Sequence, residues 1–171
     1  MIQKTNGIRM AINFAKEKHS KQKYGNNKPY IFHLIGTAKI VDEVYNKYFK
    51  NDFLYETMII SALLHDVIED TEITKSDVLK LFGFCVADTV ALVTHNKGDS
   101  YLEYILQIRG LLASVVKFAD LTFNINQSEI ELKSKYDSYK KQRLEKYLLA
   151  RYIINEEIKK YTDKTEEKSN L

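Results

Sequence analysis

Proline occurs once in this 171-residue chain, as Pro29, and glycine only six times, so the backbone has few places where a helix must stop. Apolar residues recur at helical spacing along most of its length. Ile8, Ala11, Ile12 and Ala15 predict a first amphipathic helix over about residues 6–19. The basic segment from Ser20 to Pro29, with glycine and asparagine in it, reads as a loop. A second helix carries Leu34, Ala38, Val41, Tyr45 and Tyr48 on one stripe. A third carries Tyr55, Met58, Ile59, Ala62 and Leu63 and delivers His65 and Asp66 at its end. Thr74 and Asp77 form a capping box for a short helix that Gly83 should stop. Val86, Val90 and Val93 continue the helical period up to a polar loop at His95 to Ser100. Tyr101, Ile105, Ile108, Leu112, Val115 and Ala119 predict one long helix leading straight into Asp120. The last stripe is Leu144, Tyr147, Ala150, Ile154, Ile158 and Tyr161. No stretch alternates like a strand and no repeat is present. The expected fold is an all-α, single-domain helical bundle over residues 1–161, with residues 162–171 a polar, disordered tail.

Composition narrows the setting. Hydrophobic residues make up 44% and charged residues 29%, the mix of a soluble globular chain. A lone Cys85 cannot form an internal disulfide, which suits a reducing cytosol, and is expected to be a small buried hydrophobe. No apolar run approaches the roughly 20 residues that cross a bilayer. The N-terminal segment lacks the unbroken apolar core of a signal peptide, so a cytoplasmic protein with no membrane partner is expected. A net charge of +3 does not argue for nucleic acid as a partner. Homo-oligomerisation stays open.

The chemistry concentrates between Leu63 and Thr71. His65, Asp66, Glu69 and Asp70 crowd into six residues directly after a buried-looking run. Burying that many ionisable groups without partners would cost several kcal/mol each. A divalent cation held by imidazole and carboxylate would remove the difficulty. On a helix, His65 and Glu69 would share a face, as would Asp66 and Asp70. A capped helix end with a surface acidic cluster explains the same residues, and this segment alone leaves both readings standing. Elsewhere, His33 opens the second helix, and Asp120 and Asn124, four apart, break an apolar stripe. Either His33 or Asp120 alone reads as an ordinary structural residue. His19 and His95 read as structural or surface residues.

Taken in order, His33, His65-Asp66 and Asp120 give an H…HD…D pattern, and on it the chain resembles the HD superfamily of metal-dependent phosphohydrolases. It looks most like the hydrolase domain of RelA/SpoT-type (p)ppGpp enzymes and their small stand-alone relatives. The likeness spans roughly residues 5–127. It includes Phe14-Ala15, His19 with Gln22, Pro29-Tyr30-Ile31 and the string from His65 to Thr71. Phe82-Gly83, Leu92-Val93-Thr94 and Val116-Lys117 with Ala119-Asp120 and Asn124 continue it. The resemblance implies that His33, His65, Asp66 and Asp120 are ligands of a divalent metal, manganese by family habit. It also implies that Glu69 and Asp70 handle the attacking water and that Asn124 contacts a nucleotide.

Three positions depart from the family pattern. Leu34 stands where a proline usually follows the first histidine, and Leu121 where an arginine usually follows the last aspartate. Tyr24 falls where a loop arginine packs on the purine, so Tyr24 is expected to stack on the base. Lys21, Lys23 and Lys28 around it are candidates for the phosphates, although a solvated lysine-rich loop fits the same composition. The expected activity is hydrolysis of a phosphate or pyrophosphate ester on a purine nucleotide. Its best specific form is removal of the 3′-pyrophosphate from guanosine tetra- or pentaphosphate. Alternatives are an HD phosphohydrolase of another nucleotide, such as a nucleoside phosphate, an adenine alarmone or a phosphorylated dinucleotide, and a non-catalytic helical module that binds a nucleotide or protein. The chain is too short for a second catalytic domain, and the helices after residue 127 are expected to complete the bundle.

Overall fold

In the computed structural model, which describes residues 2–3, 5–25, 27–49, 52–134 and 136–169, Thr5 opens helix α1 (Asn6–Lys18). Its side chain accepts a hydrogen bond from the Ile8 amide at 3.2 Å, satisfying one of the free donors of the first turn. Ile8, Ala11 and Ala15 face the core, as their spacing predicts. The segment expected to be a plain loop holds a small hairpin, β1 (Lys23–Tyr24) antiparallel to β2 (Lys28–Pro29). Two-residue strands are too short to show alternation, and the reversal between them uses Asn27 at φ 58°, a conformation asparagine tolerates better than most residues.

Helix α2 (Ile31–Tyr48) buries Leu34, Ala38, Val41 and Tyr45. Tyr48, expected on that stripe, is instead 49% exposed, because Phe49 at the helix end packs on the core in its place. Helix α3 (Asp52–Leu64) buries Tyr55, Met58, Ile59, Ala62 and Leu63. It stops at Leu64, and His65 and Asp66 form a turn before the short α4 (Val67–Asp70). Helix α5 (Lys75–Phe82) has both halves of the Thr74–Asp77 capping box and ends at Gly83. Helix α6 (Phe84–Val93) turns Val86, Ala87, Val90 and Val93 inward. Cys85 is exposed rather than buried, since it lies one residue out of phase with that inner face.

The single long helix expected before Asp120 is two helices, α7 (Tyr101–Gln107) and α8 (Leu111–Ser134). Gly110, at φ 87°, makes the break in a conformation that side-chain-bearing residues rarely adopt. Ile108 is buried and Leu112 half-buried on either side, so the apolar period runs through the break and hides it. Asp120 therefore sits inside α8 and not at a helix end. Helix α9 (Ser138–Ser169) buries Ala150, Ile154 and Ile158. Its backbone stays helical past Tyr161 as far as Ser169, and the last two residues of the expected tail lie outside the described residues.

Helix α8 forms the axis of the bundle and packs against α2, α3, α6 and α9, while α1 lies across α2 and α3. Leu34, Met58, Ile59, Leu63 and Ile154 are fully buried at these contacts. Each such side chain contributes about 1.5–3 kcal/mol by leaving water. The fold is an all-α helical bundle. No helix among the described residues is long and apolar enough to cross a membrane.

Candidate metal centre and active-site cavity

The end of α3 sets the site. His65 Nδ1 donates to the Ala62 carbonyl at 2.8 Å, which leaves Nε2 as the nitrogen that faces inward. His33, in the first turn of α2, brings its own Nε2 to 3.1 Å from that of His65. Because the helix ends at Leu64, Asp66 need not point away from its neighbour as helix geometry would require. At φ −96° and ψ −2°, it places Oδ2 3.1 Å from His65 Nε2 and 3.3 Å from His33 Nε2. Asp120 comes from α8, with Oδ1 3.4 Å from both imidazole nitrogens. Four sequence-predicted residues thus converge on one point.

The donor set fits a divalent ion. Ligand atoms of His33, His65 and Asp66 lie within 4.8 Å of one another. Edges of about 3 Å are those of an octahedron built on bonds of about 2.1 Å, and mixed imidazole and carboxylate suits first-row divalent metals. Two buried imidazole nitrogens face each other with carboxylate oxygens of Asp66 and Asp120 beside them, an arrangement that needs either protons or a cation between. Electrostatics shows the proton version. Burial opposes the charge on His65, but Asp66 and Asp120 outweigh it and raise its pKa well above the usual imidazole range. His33 is likewise raised against the pull of burial, by Asp120 and Asp66. Burial works against Asp66 ionising, yet His65 and His33 hold its carboxyl far below the usual range. Asp120 is also held low against burial, chiefly by Lys117 and the two histidines.

Several side chains hold these four residues in place. Tyr30 donates its hydroxyl hydrogen to Asp66 Oδ2 at 2.7 Å. Lys117, one turn before Asp120 on α8, reaches Oδ2 of that aspartate at 2.9 Å and is itself buried. Asn124 Nδ2 donates to Asp120 Oδ1 at 2.6 Å, and Tyr24 donates to Asn124 Oδ1 at 2.7 Å. The Tyr24 ring stacks on His33, centroids 4.9 Å apart and planes 4° apart.

The centre opens into a cavity of about 540 Å³ lined by Glu69, Asp70, Lys23, Tyr24 and Asn124, all singled out in the sequence. Such a volume suits a small ligand. Glu69 Oε2 accepts from the His95 backbone amide at 2.8 Å. The protein shielding its carboxyl raises its pKa above the ordinary glutamate value. Asp70 Oδ2 accepts from Gln22 Nε2 at 2.7 Å. Lys21 is exposed and does not line the cavity, and Lys28 lies over the Phe32 ring at 4.1 Å, outside it. His19 is structural, buried, bonded to Gln22 and stacked on Tyr30.

Sequence reasoning missed the wall that α9 contributes, where Lys140, Arg143 and Tyr147 line the cavity. Lys140 is paired with Glu131 at 2.7 Å, whereas Arg143 Nε is buried with no hydrogen-bond partner among the described residues. Their spacing of three and four was legible as one helix face, but α9 is rich in lysine and glutamate throughout. Tyr30, Lys117 and the backbone of His95 were missed as well. Tyr30 and Lys117 both stand in stretches that carry the resemblance, and Lys117 is also a lysine three residues before Asp120 in an apolar run.

Comparison with known proteins places this geometry. The chain is 41% identical over 87 residues to the guanosine-3′,5′-bis(diphosphate) 3′-pyrophosphohydrolase of Aquifex aeolicus, covering 51% of this chain and 11% of that protein. It is 32% identical over 130 residues to the bifunctional (p)ppGpp synthase/hydrolase SpoT of Escherichia coli, covering 69% of this chain and 17% of that one. It thus spans less than a fifth of these two relatives. With the shorter MESH1 guanosine-3′,5′-bis(diphosphate) 3′-pyrophosphohydrolase of Xenopus tropicalis it shares 30% identity over 145 residues, 80% of this chain and 76% of that protein. A solved structure of a metazoan ortholog of SpoT that hydrolyzes ppGpp has the same fold, with TM-score 0.65, 22% identity, and coverage of 94% and 98% of the two chains. A family model described as HD domain matches residues 11–122, a stretch that holds His33, His65, Asp66 and Asp120, and the chain belongs to the HD domain family.

Proposed function

We propose that this chain is a metal-dependent guanosine-3′,5′-bis(diphosphate) 3′-pyrophosphohydrolase. The observation that carries the proposal is the convergence of His33, His65, Asp66 and Asp120 at the floor of a cavity with two further carboxylates at its edge. The names of the relatives supply the substrate. His33, His65, Asp66 and Asp120 would hold a divalent ion, manganese in our reading, which would supply Lewis acidity toward a phosphoryl oxygen and toward water.

The chain's own groups do the rest. Glu69, fixed by the His95 amide, is the base that accepts the proton of the attacking water. Asp70, tied to Gln22, orients that water. Arg143 and Lys23 meet the phosphates, the guanidinium with the fork geometry that suits phosphate oxygens. The base lies against Tyr24, with Asn124 beside it. Lys21, exposed at the hairpin, adds long-range attraction for the anionic substrate. The catalytic unit is residues 1–161, and the protein works in the cytoplasm.

The test is a substrate panel with manganese-loaded protein, scoring released pyrophosphate and phosphate. Guanosine 3′,5′-bis(diphosphate) should yield GDP and pyrophosphate and lead the panel. Preference for an adenine alarmone or a phosphorylated dinucleotide would redirect the substrate, and no turnover of any nucleotide would leave a binding module.

A further inference from the structure

We infer that Tyr24 is a positioning residue of the metal centre, holding Asp120 through Asn124 and His33 through its ring. The inference rests on the ligand assignment proposed above. An ionised Asp120 only accepts hydrogen bonds, so the Asn124 amide nitrogen must face it, as the 2.6 Å contact shows. That leaves the Asn124 carbonyl for Tyr24, whose hydroxyl donates to it at 2.7 Å. Two hydrogen bonds in series therefore run from strand β1 to the Asp120 oxygen that faces both imidazoles at 3.4 Å.

The same ring lies flat on His33, at 4.9 Å and 4°, and Phe123 closes on both rings, 5.6 Å from Tyr24 and 5.1 Å from His33. Packing of that kind restricts rotation of the imidazole and keeps Nε2 aimed at the centre. One side chain thus orients one ligand by hydrogen bonding and another by stacking. Tyr30, the N-cap residue of α2 directly after the hairpin, holds a third candidate ligand, donating to Asp66 at 2.7 Å. Partners of this sort typically change metal affinity by 10- to 100-fold, because they fix the direction in which a ligand presents its lone pair. A residue serving only as a platform for the base would leave metal affinity untouched.

The experiment measures Mn²⁺ affinity by chelator competition, with no substrate present, for EDTA-stripped wild type, Tyr24→Phe, Asn124→Ala and the double variant. Tyr24→Phe keeps the ring on His33 and loses only the hydroxyl. It should weaken Mn²⁺ binding by about 10-fold or more, with an unchanged circular dichroism spectrum. Asn124→Ala breaks the same chain from α8 without touching the hairpin and should weaken binding comparably. The double variant should lose no more than the worse single one, because both changes cut one link. Wild-type affinity in Tyr24→Phe, or full additivity in the double variant, overturns the inference while leaving the ligand assignment standing. Failure of the wild type itself to bind Mn²⁺ overturns both.

Discussion

Lys117 Nζ lies 2.9 Å from Asp120 Oδ2, so one oxygen of that carboxylate is engaged by a buried ammonium and the other faces the two imidazoles. Lys117→Met removes one partner of a buried ion pair and leaves the other charge in place. Such changes cost about 3–5 kcal/mol. Denaturant unfolding of metal-free protein should show a loss of that size. A variant as stable as wild type would mean that the pair contributes nothing to folding.

Glu69→Gln should keep its metal and lose at least roughly 10²-fold in rate, the usual scale for a general base. A glutamine oxygen can still accept from the His95 amide, so the side chain stays put. Because shielding raises the Glu69 pKa, the wild-type rate should fall as pH drops through a value above that of an ordinary glutamate. The variant should lack that limb. Metal analysis and a pH–rate profile of both proteins check it, and loss of metal with activity would make Glu69 a ligand.

Metal uptake must displace protons from His33 and His65, whose pKa values are raised. Mn²⁺ affinity should therefore climb with pH until both imidazoles are neutral. In metal-free protein the two raised histidines stabilise the fold fully below about pH 6.5, their unfolded value, and that contribution disappears as pH rises through their folded values. Asp66 and Asp120, held low, contribute above about pH 3.9 and lose the contribution as pH falls through their folded values. The gap in Tm between Mn²⁺-loaded and EDTA-treated samples should widen from pH 6 upward. A constant gap would rule out proton displacement.

Gly36 faces the Phe123 ring so closely that an added Cβ would overlap it. Phe123 also touches His33 and Tyr24, so it cannot yield without disturbing them. Gly36→Ala should destabilise by about 1–3 kcal/mol, the usual cost of overpacking, and weaken Mn²⁺ binding with it. Thermal melts and metal titration would show both effects.

His65→Ala and Asp66→Ala each remove a donor from a four-atom set and should abolish both bound metal and activity. Wild-type metal content in either variant would sink the ligand assignment.

How much of this was legible depended on whether the signal was local. The buried stripes of α1, α3 and α6 and the Thr74–Asp77 cap follow from spacing, and the four converging residues from the family resemblance. The break at Gly110 was hidden because Ile108 and Leu112 keep the period across it. The turn at His65 and Asp66 was hidden because nothing in LLHDV forbids a continuous helix, yet that turn lets neighbouring side chains meet at 3.1 Å. The hydrogen bond from Tyr24 to Asn124 spans 100 positions, and no local pattern encodes a contact of that range.

The four candidate ligands lie between residues 33 and 120, whereas Lys140, Arg143 and Tyr147 reach the cavity from α9. The candidate metal centre and one charged wall of the cavity are therefore carried on separate stretches of polypeptide, while Lys23, Tyr24 and Asn124 line the same cavity from the first stretch. Joining residues up to the α8–α9 connection to the last helix of another such protein would make a hybrid with the same four candidate ligands and a different cavity wall. A lineage that exchanged or remodelled this one helix would recast that wall while the four candidate ligands stayed unaltered.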